Sequence, residues 1–253
     1  MRNRHWSRWL YRVQWLLLTV IFLAAVALRL ELLHFRTVFK IFQYAGLAAI
    51  GVALISILVF IWGLVKRHAD ARRAAMWGTL LGLLPVAVPL LTVGPDNFDV
   101  PPIHDISTDL GNPPEYRAVL SIRDPDDNSA EYDGEEVARQ QREADIYADI
   151  QPLMVALPVE QATALAAKVA EDMGWRILDR DDKAGHLEAV DRTLLLGFSD
   201  DVVVRVTATE DGSRVDVRSS SRVGISDLGK NAERIRAFLS DLEARVRQVG
   251  KGA

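Results

Sequence analysis

The chain has 253 residues, 49% of them hydrophobic, with a formal net charge of −4 and no cysteine, which excludes disulfides, thiolate metal sites and a cysteine nucleophile. The averages hide two unlike parts: residues 1–94 carry eleven Lys/Arg and two acids, whereas residues 95–253 carry nineteen and thirty-two. The acidic second part lacks the basic face that phosphate contacts require, so nucleic acid is not expected as a partner.

Residues 13–28 form an uncharged stretch of sixteen, residues 41–65 one of twenty-five and residues 74–93 one of twenty. A helix that crosses a bilayer needs about 20 predominantly apolar residues. The second and third runs meet this alone and the first with its flanks, so spans are expected at about 13–33, 41–65 and 74–93. Arg29 and Glu31 stand two apart and do not share a helix face; Arg29 is placed at the interface, its stem in apolar surroundings and its guanidinium in water. Pro85 and Pro89 each remove a backbone donor and are expected to kink the third span. Gly78 and Gly82 make a GxxxG spacing, which lets helices approach closely.

Orientation follows from the bias of Lys and Arg toward the cytoplasmic side. Arg2, Arg4, Arg8 and Arg12 precede the first span, and Lys66, Arg67, Arg72 and Arg73 lie between the second and third. The first loop has Arg29, Arg36 and Lys40 with Glu31, and the stretch after the third span has Asp96 and Asp99 with no cation until Arg117. This places the N-terminus in the cytoplasm and the C-terminal domain outside, in the periplasm of a bacterium, as expected for a multi-pass protein of the inner (cytoplasmic) membrane. Ala25-Val26-Ala27 after a basic segment admits an alternative, a cleaved signal peptide, which leaves the side of the C-terminal domain unchanged.

Residues 95–148 are rich in Pro, Asp, Asn and Gly and read as an acidic extended arm or linker, with a polar helix near 135–147. From residue 149 the pattern sharpens. Residues 152–155 suit a short strand, and Pro158 suits a helix start. Ala162, Leu165, Val169 and Met173 repeat at helical spacing before Gly174 stops the helix. Residues 175–179, 186–190 and 193–198 read as strands, the last two as one bent strand. Residues 201–207 and 214–220 alternate strictly about Asp211-Gly212, a hairpin signal. With those two residues at the tip, Val206 faces Val217 and Arg205 lies beside Arg218. A last helix begins near Lys230, with Ile235, Phe238, Leu239, Leu242 and Val246 as its apolar stripe. The expected fold is α+β: three N-terminal transmembrane helices, then an antiparallel sheet covered on one face by two helices over residues 149–253.

The runs Asp200-Asp201-Val202-Val203-Val204-Arg205-Val206, Val215-Asp216-Val217-Arg218-Ser219-Ser220-Ser221-Arg222-Val223-Gly224 and Ser226-Asp227-Leu228-Gly229-Lys230-Asn231-Ala232-Glu233-Arg234-Ile235, with Pro102-Ile103-His104-Asp105-Ile106-Ser107-Thr108-Asp109 upstream, resemble the domain-of-unknown-function 1499 family. The resemblance covers about residues 101–242. It implies a fold unit and a location, and the family has no established activity to carry over.

Residues 205–231 are dense in groups that bind anions or one another. Arg205 and Arg218 side by side would repel unless an acid or an external anion separates them. Asp216, Asp200 or Asp201 can play that part, with hydroxyls of residues 219–221 as further donors. The candidate ligand-binding residues are Arg205, Asp216, Arg218, Ser220, Arg222, Asp227, Asn231, His104 and Asp105. A closed network of internal ion pairs is the competing reading, and openness of this face decides between them. Ser226 superficially resembles a nucleophile elbow but lacks the second glycine; Ser226 or Asp227 as an N-cap explains the residues more simply. His104-Asp105 with Asp109 matches no zinc signature, and no metal or other cofactor is expected.

The expected function is that of a non-catalytic integral membrane protein presenting an envelope-associated binding module, with the lipid bilayer and a protein or small anionic ligand as partners. The alternative is a cell-envelope hydrolase or other enzyme acting at the membrane surface, which requires His104 or His186 to meet Asp227, Ser226 or Asp201 in one cleft. The spans contain no buried acid or paired charge of the kind that marks transport.

Overall fold

The computed structural model describes residues 6–94, 97, 100–194 and 196–252. Arg2, Arg4, Asp96, Asp99 and Leu195, which entered the sequence reading, lie outside them. The chain forms two compact units, Met1–Pro95 and Asp96–Ala253.

The first unit consists of α1 (Trp9–Arg29), α2 (Phe35–Val65) and α3 (Ala69–Val93). All three are long and apolar enough to cross a membrane. The first span gains its length at its N-terminal end, through the 3-10 turn Trp6–Arg8, and not at residues 30–33. There the chain turns, with Glu31 at φ 58°. α2 and α3 begin ahead of residues 41 and 74 and take in Arg36, Lys40, Arg72 and Arg73, because the hydrogen-bond ladder continues past the point where apolarity ends. α3 also runs through Pro85 and Pro89 as one helix.

The packing of these helices inverts that of a water-soluble bundle. Gln14, Ala49, Ala53 and Ser56 are buried, while Leu16, Phe22, Leu47, Leu54, Leu58 and Leu91 are exposed. Small and polar residues inside with large apolar ones outside is the pattern of helices solvated by lipid. Gln14 Nε2 donates to Ala49 O at 2.8 Å and Gly78 O at 3.1 Å, tying α1 to both other helices. The GxxxG spacing marks this contact. A Cβ on Gly78 would come within 2.4 Å of Ser56 Oγ, and one on Gly82 within 2.2 Å of Gln14 Nε2.

The second unit is built on a six-stranded antiparallel sheet. Its strands are β1 (Asp105–Ser107), β2 (Leu153–Val155), β3 (Arg176–Asp181), β4 (His186–Arg192), β5 (Ser199–Thr209) and β6 (Gly212–Ser221). The order is β1-β6-β5-β4-β3, with β2 also paired to β6, so β1 and β2 share one edge end to end. The helices are α4 (Glu135–Glu143), α5 (Val159–Asp172) and α6 (Lys230–Gly252).

Strand side chains alternate between faces. Leu187, Ala189, Val202, Val204, Val206, Val215 and Val217 pack with Ala162, Ala166, Ala170, Ile235, Phe238 and Leu242 of α5 and α6. Trp175 stacks on Phe238 with ring centroids 5.1 Å apart. The opposite face carries a smaller cluster, Val190 and Val203 with Tyr116 and Val119. The polar segment before residue 149 thus supplies a strand, the helix α4, and a layer over the second face of the sheet.

Two local expectations are corrected. The β5–β6 register pairs Thr209 with Gly212, Arg205 with Asp216 and Val204 with Val217, so the tip is Glu210-Asp211, one residue earlier than the Asp-Gly signal placed it. Gly212 answers a different need: at φ 145° its Cβ position lies 2.1 Å from Val155 O, where β2 crosses close to the strand. Residues 193, 194 and 196–198 lie in a turn between β4 and β5 rather than in a strand. Gly197 N donates to Thr193 O at 3.0 Å, Phe198 N to Thr193 Oγ1 at 2.8 Å, and Gly197 takes φ 72°.

Candidate functional site

The corrected register separates Arg205 from Arg218. Arg205 faces Asp216, while Arg218 faces Val203 across the ladder. Each arginine then finds its own acid. Arg218 is 2% exposed and grips Asp105 on β1 with two nitrogens, Nε to Oδ1 at 2.9 Å and Nη2 to Oδ2 at 2.6 Å. It also donates to Pro114 O and Ala130 O, and its guanidinium lies 4.7 Å from the Tyr116 ring and 5.3 Å from that of Tyr132. Burial alone would lower the pKa of Arg218, but the hydrogen bonds and charge of Asp105 outweigh it and hold the group above its ordinary value. Burial and the Asp105 carboxylate push the Tyr116 phenol well above its ordinary value, and its hydroxyl donates to Asp201 O at 2.9 Å.

Two further clusters lie on this face. Asp201 accepts Arg123 Nε at 2.7 Å and two nitrogens of Arg222, the nearer also at 2.7 Å. Asp216 accepts Arg205 Nη2 at 3.2 Å, Arg214 Nη2 at 2.9 Å and Thr108 Oγ1 at 3.2 Å, while Asp109 bridges the same two arginines at 3.0 and 3.1 Å. Two guanidinium groups therefore meet two carboxylates, and the charges of that cluster balance without an external anion. The hydroxyls expected to join this site are divided between faces: Ser220 lies here, whereas Ser219 and Ser221 point toward α6.

There a second polar network, anticipated only in part, fills the space between the sheet and α6. Asn231 accepts Ser219 Oγ at 2.7 Å and donates Nδ2 to His104 O at 2.9 Å and Ser221 Oγ at 3.0 Å. Arg234 binds Asp200 at 2.6 Å, Asp191 at 2.7 Å and Asn231 Oδ1 at 2.6 Å. Burial pushes the Asp200 carboxyl up against the pull of Arg234. Asp227 is the cap of α6. Its carboxylate accepts Gly229 N at 2.9 Å and Asn231 N at 2.7 Å, and Ser226 Oγ accepts Leu228 N at 3.2 Å. Burial raises the Asp227 pKa as well. Neither Ser226 nor Asp227 is arranged as a nucleophile.

Among the described residues no side-chain hydrogen bond joins either histidine to Ser226, Asp227 or Asp201. His104 contributes its carbonyl to Asn231 and to Ser221 N. His186 pairs across the ladder with Arg205, and Asp201 with Val190. Four residues of strand, roughly 13 Å, separate His186 from Asp201 along the sheet. His186 instead meets Glu188 at 2.8 Å and Asp179 at 3.8 Å, a trio whose spacing could hold a metal ion. Glu188 is already engaged, accepting Arg117 N at 2.6 Å and Val119 N at 3.0 Å. Burial alone would raise its pKa, but His186 and these backbone N–H groups hold it below the ordinary carboxylate value. A metal ion would have to compete with those bonds.

None of the curated proteins matches the sequence. The model of one family, described as protein of unknown function (DUF1499), matches residues 105–242. That match begins at the first residue of β1, the acid that clamps Arg218, and ends at Leu242 in the apolar stripe of α6, so it takes in both networks. Covering more than half of the chain, it shows that the chain belongs to the DUF1499 family.

Proposed function

We propose that this chain is a multi-pass protein of the cytoplasmic membrane that holds its C-terminal domain on the extracytoplasmic side as a non-catalytic, envelope-associated module. What carries the non-catalytic reading is the closure of the polar face: Arg218, Arg222, Arg205 and Arg214 each end on Asp105, Asp201, Asp109 or Asp216. Groups committed to one another in this way set a domain's shape and leave little charge for a small anion or a substrate. A protein partner therefore fits better than a small anionic ligand. The location is supported by the basic Lys66, Arg67, Arg72 and Arg73 between α2 and α3 against the acidic C-terminal part.

The absence of native cysteine makes the topology directly testable. Single cysteines at Lys66 and at Asp211 are exposed to a membrane-impermeant maleimide in intact cells. Labelling at 211, with 66 reacting only after permeabilisation, is the expected result; the reverse pattern overturns the orientation. Crosslinking of the protein in intact membranes tests the module. Recovery of a specific partner supports binding, and no specific product from any face of the domain overturns it.

A further inference from the structure

The two ends of the C-terminal sheet differ in chemistry. One end carries the β3–β4 turn with Asp181, Asp182 and Lys183 and the hairpin tip Glu210-Asp211, all polar. The other gathers the β4–β5 turn, the loop from β6 to α6, and residues 122–128. Hydrogen bonds tie these together: Arg222 N to Ser199 O at 3.2 Å, Arg222 Nη1 to Ile122 O at 3.2 Å, and Asn128 Nδ2 to Gly224 O at 2.8 Å.

At this end Leu194 and Ile225 are 87% and 80% exposed, more than any other large hydrophobic residue described in the domain. The loops do not need them. Thr193 and Gly197 close the first turn, and Asn128, Ser226 and Asp227 brace the second loop. Large apolar side chains at the tips of loops braced by their neighbours point to an apolar environment outside the domain.

The chain from the helices arrives at the same end. Ile103 O accepts Asp227 N at 3.2 Å and His104 O accepts Ser221 N at 2.9 Å. α3 ends at Val93, so ten residues, at most about 35 Å of extended chain, lead to Ile103. The residue that Ile103 binds is two positions from Ile225.

We propose that Leu194 and Ile225 insert into the headgroup boundary of the membrane that α1–α3 cross, docking this end of the domain on the lipid surface. The inference rests on the membrane reading above. Insertion of such side chains reaches about 5–10 Å into the boundary. The neighbouring turn carries Asp124, Asp126 and Asp127, with Asn128 N bonded to Arg222 O at 2.7 Å. These three acids outnumber Arg192, which borders Leu194 and donates to Gly197 O at 3.3 Å, so anionic headgroups add no net attraction, and docking is expected on neutral lipid and at high salt.

The full chain is reconstituted in phosphatidylcholine vesicles with one cysteine, placed in turn at Leu194, Ile225, Asp211 and Leu58, each carrying an environment-sensitive fluorophore. Positions 194 and 225 are expected to emit to the blue of position 211 and to be quenched by bromolipid, in 1 M salt as in low salt. Leu58, an exposed residue of α2, reports on the helices. Quenching at 58, with 194 and 225 behaving like 211, overturns the docking and leaves the membrane reading standing. No quenching at 58 overturns both.

Discussion

Replacing Arg218 by methionine removes a guanidinium that is 2% exposed and bonded to Asp105, Pro114 O and Ala130 O. The Asp105 carboxylate, itself 3% exposed, loses its partner. Breaking a buried pair from one side costs about 3–5 kcal/mol, and two stranded carbonyls make the upper part of that range the better expectation. The loss falls on the layer over the second face, because Pro114 and Ala130 belong to it and Asp105 lies on the strand that leads into it. Opening of that layer can be read from trypsin cleavage after Arg117 in the purified full chain, under conditions where the rate follows the open population. At 1.4 kcal/mol per tenfold, cleavage should rise about 100-fold or more. The double variant Asp105→Leu, Arg218→Met removes the unpaired charge as well and should cleave at least about tenfold more slowly than the single one. A rise of less than about threefold in the single variant, or no recovery in the double, would refute the assignment of Arg218 as the clamp.

Glu188 has its folded pKa below the ordinary value. Its contribution is intact above the unfolded pKa, about 4.3, and is lost as pH falls through the folded value. Thermal melts of Glu188→Gln should therefore show a lower midpoint at pH 7 and a shallower decline toward pH 3 than the unaltered protein; parallel profiles would remove Glu188 from the acid limb. In the membrane unit, Gly82→Ala drives a methyl group into Gln14 and the Ala53 Cβ, 2.2 and 2.7 Å away, whereas Gly46→Ala meets nothing within 4 Å. The first should cost about 1–3 kcal/mol of overpacking and lower the melting midpoint in detergent, and the second should leave it unchanged or raise it.

The three spans, the strand–helix order of residues 153–246 and the family were legible because each rests on local pattern: uncharged runs, alternation or a quoted motif. The register slipped because the Asp-Gly signal had two physical uses, and here Gly212 is required by the approach of Val155 rather than by the turn. Residues 101–148 showed no apolar period because they cover a charged face. Their partners in that layer, such as Glu188 for Arg117 N and Asp201 for Arg123, lie 71 and 78 residues away. The density of residues 205–231 was visible, but whether the cations faced outward or each other depended on a two-residue shift. Arg234 escaped notice in a helix full of Lys, Arg and Glu. Its position three after Asn231 and four before Phe238 sets it on the flank of the buried stripe, which is the signal that could have found it.

The arrangement of β1 also has a mechanical meaning. The strand is three residues long, yet it is the first element of the sheet that the chain enters on leaving the helices. A pull along that connection reaches the β1–β6 ladder and the Arg218–Asp105 clamp before it reaches any other strand. β6 passes the load to β5 along ten paired positions, and the clamp shares it with His104 O on Ser221 N and with Gln141 on both backbone groups of Ser107.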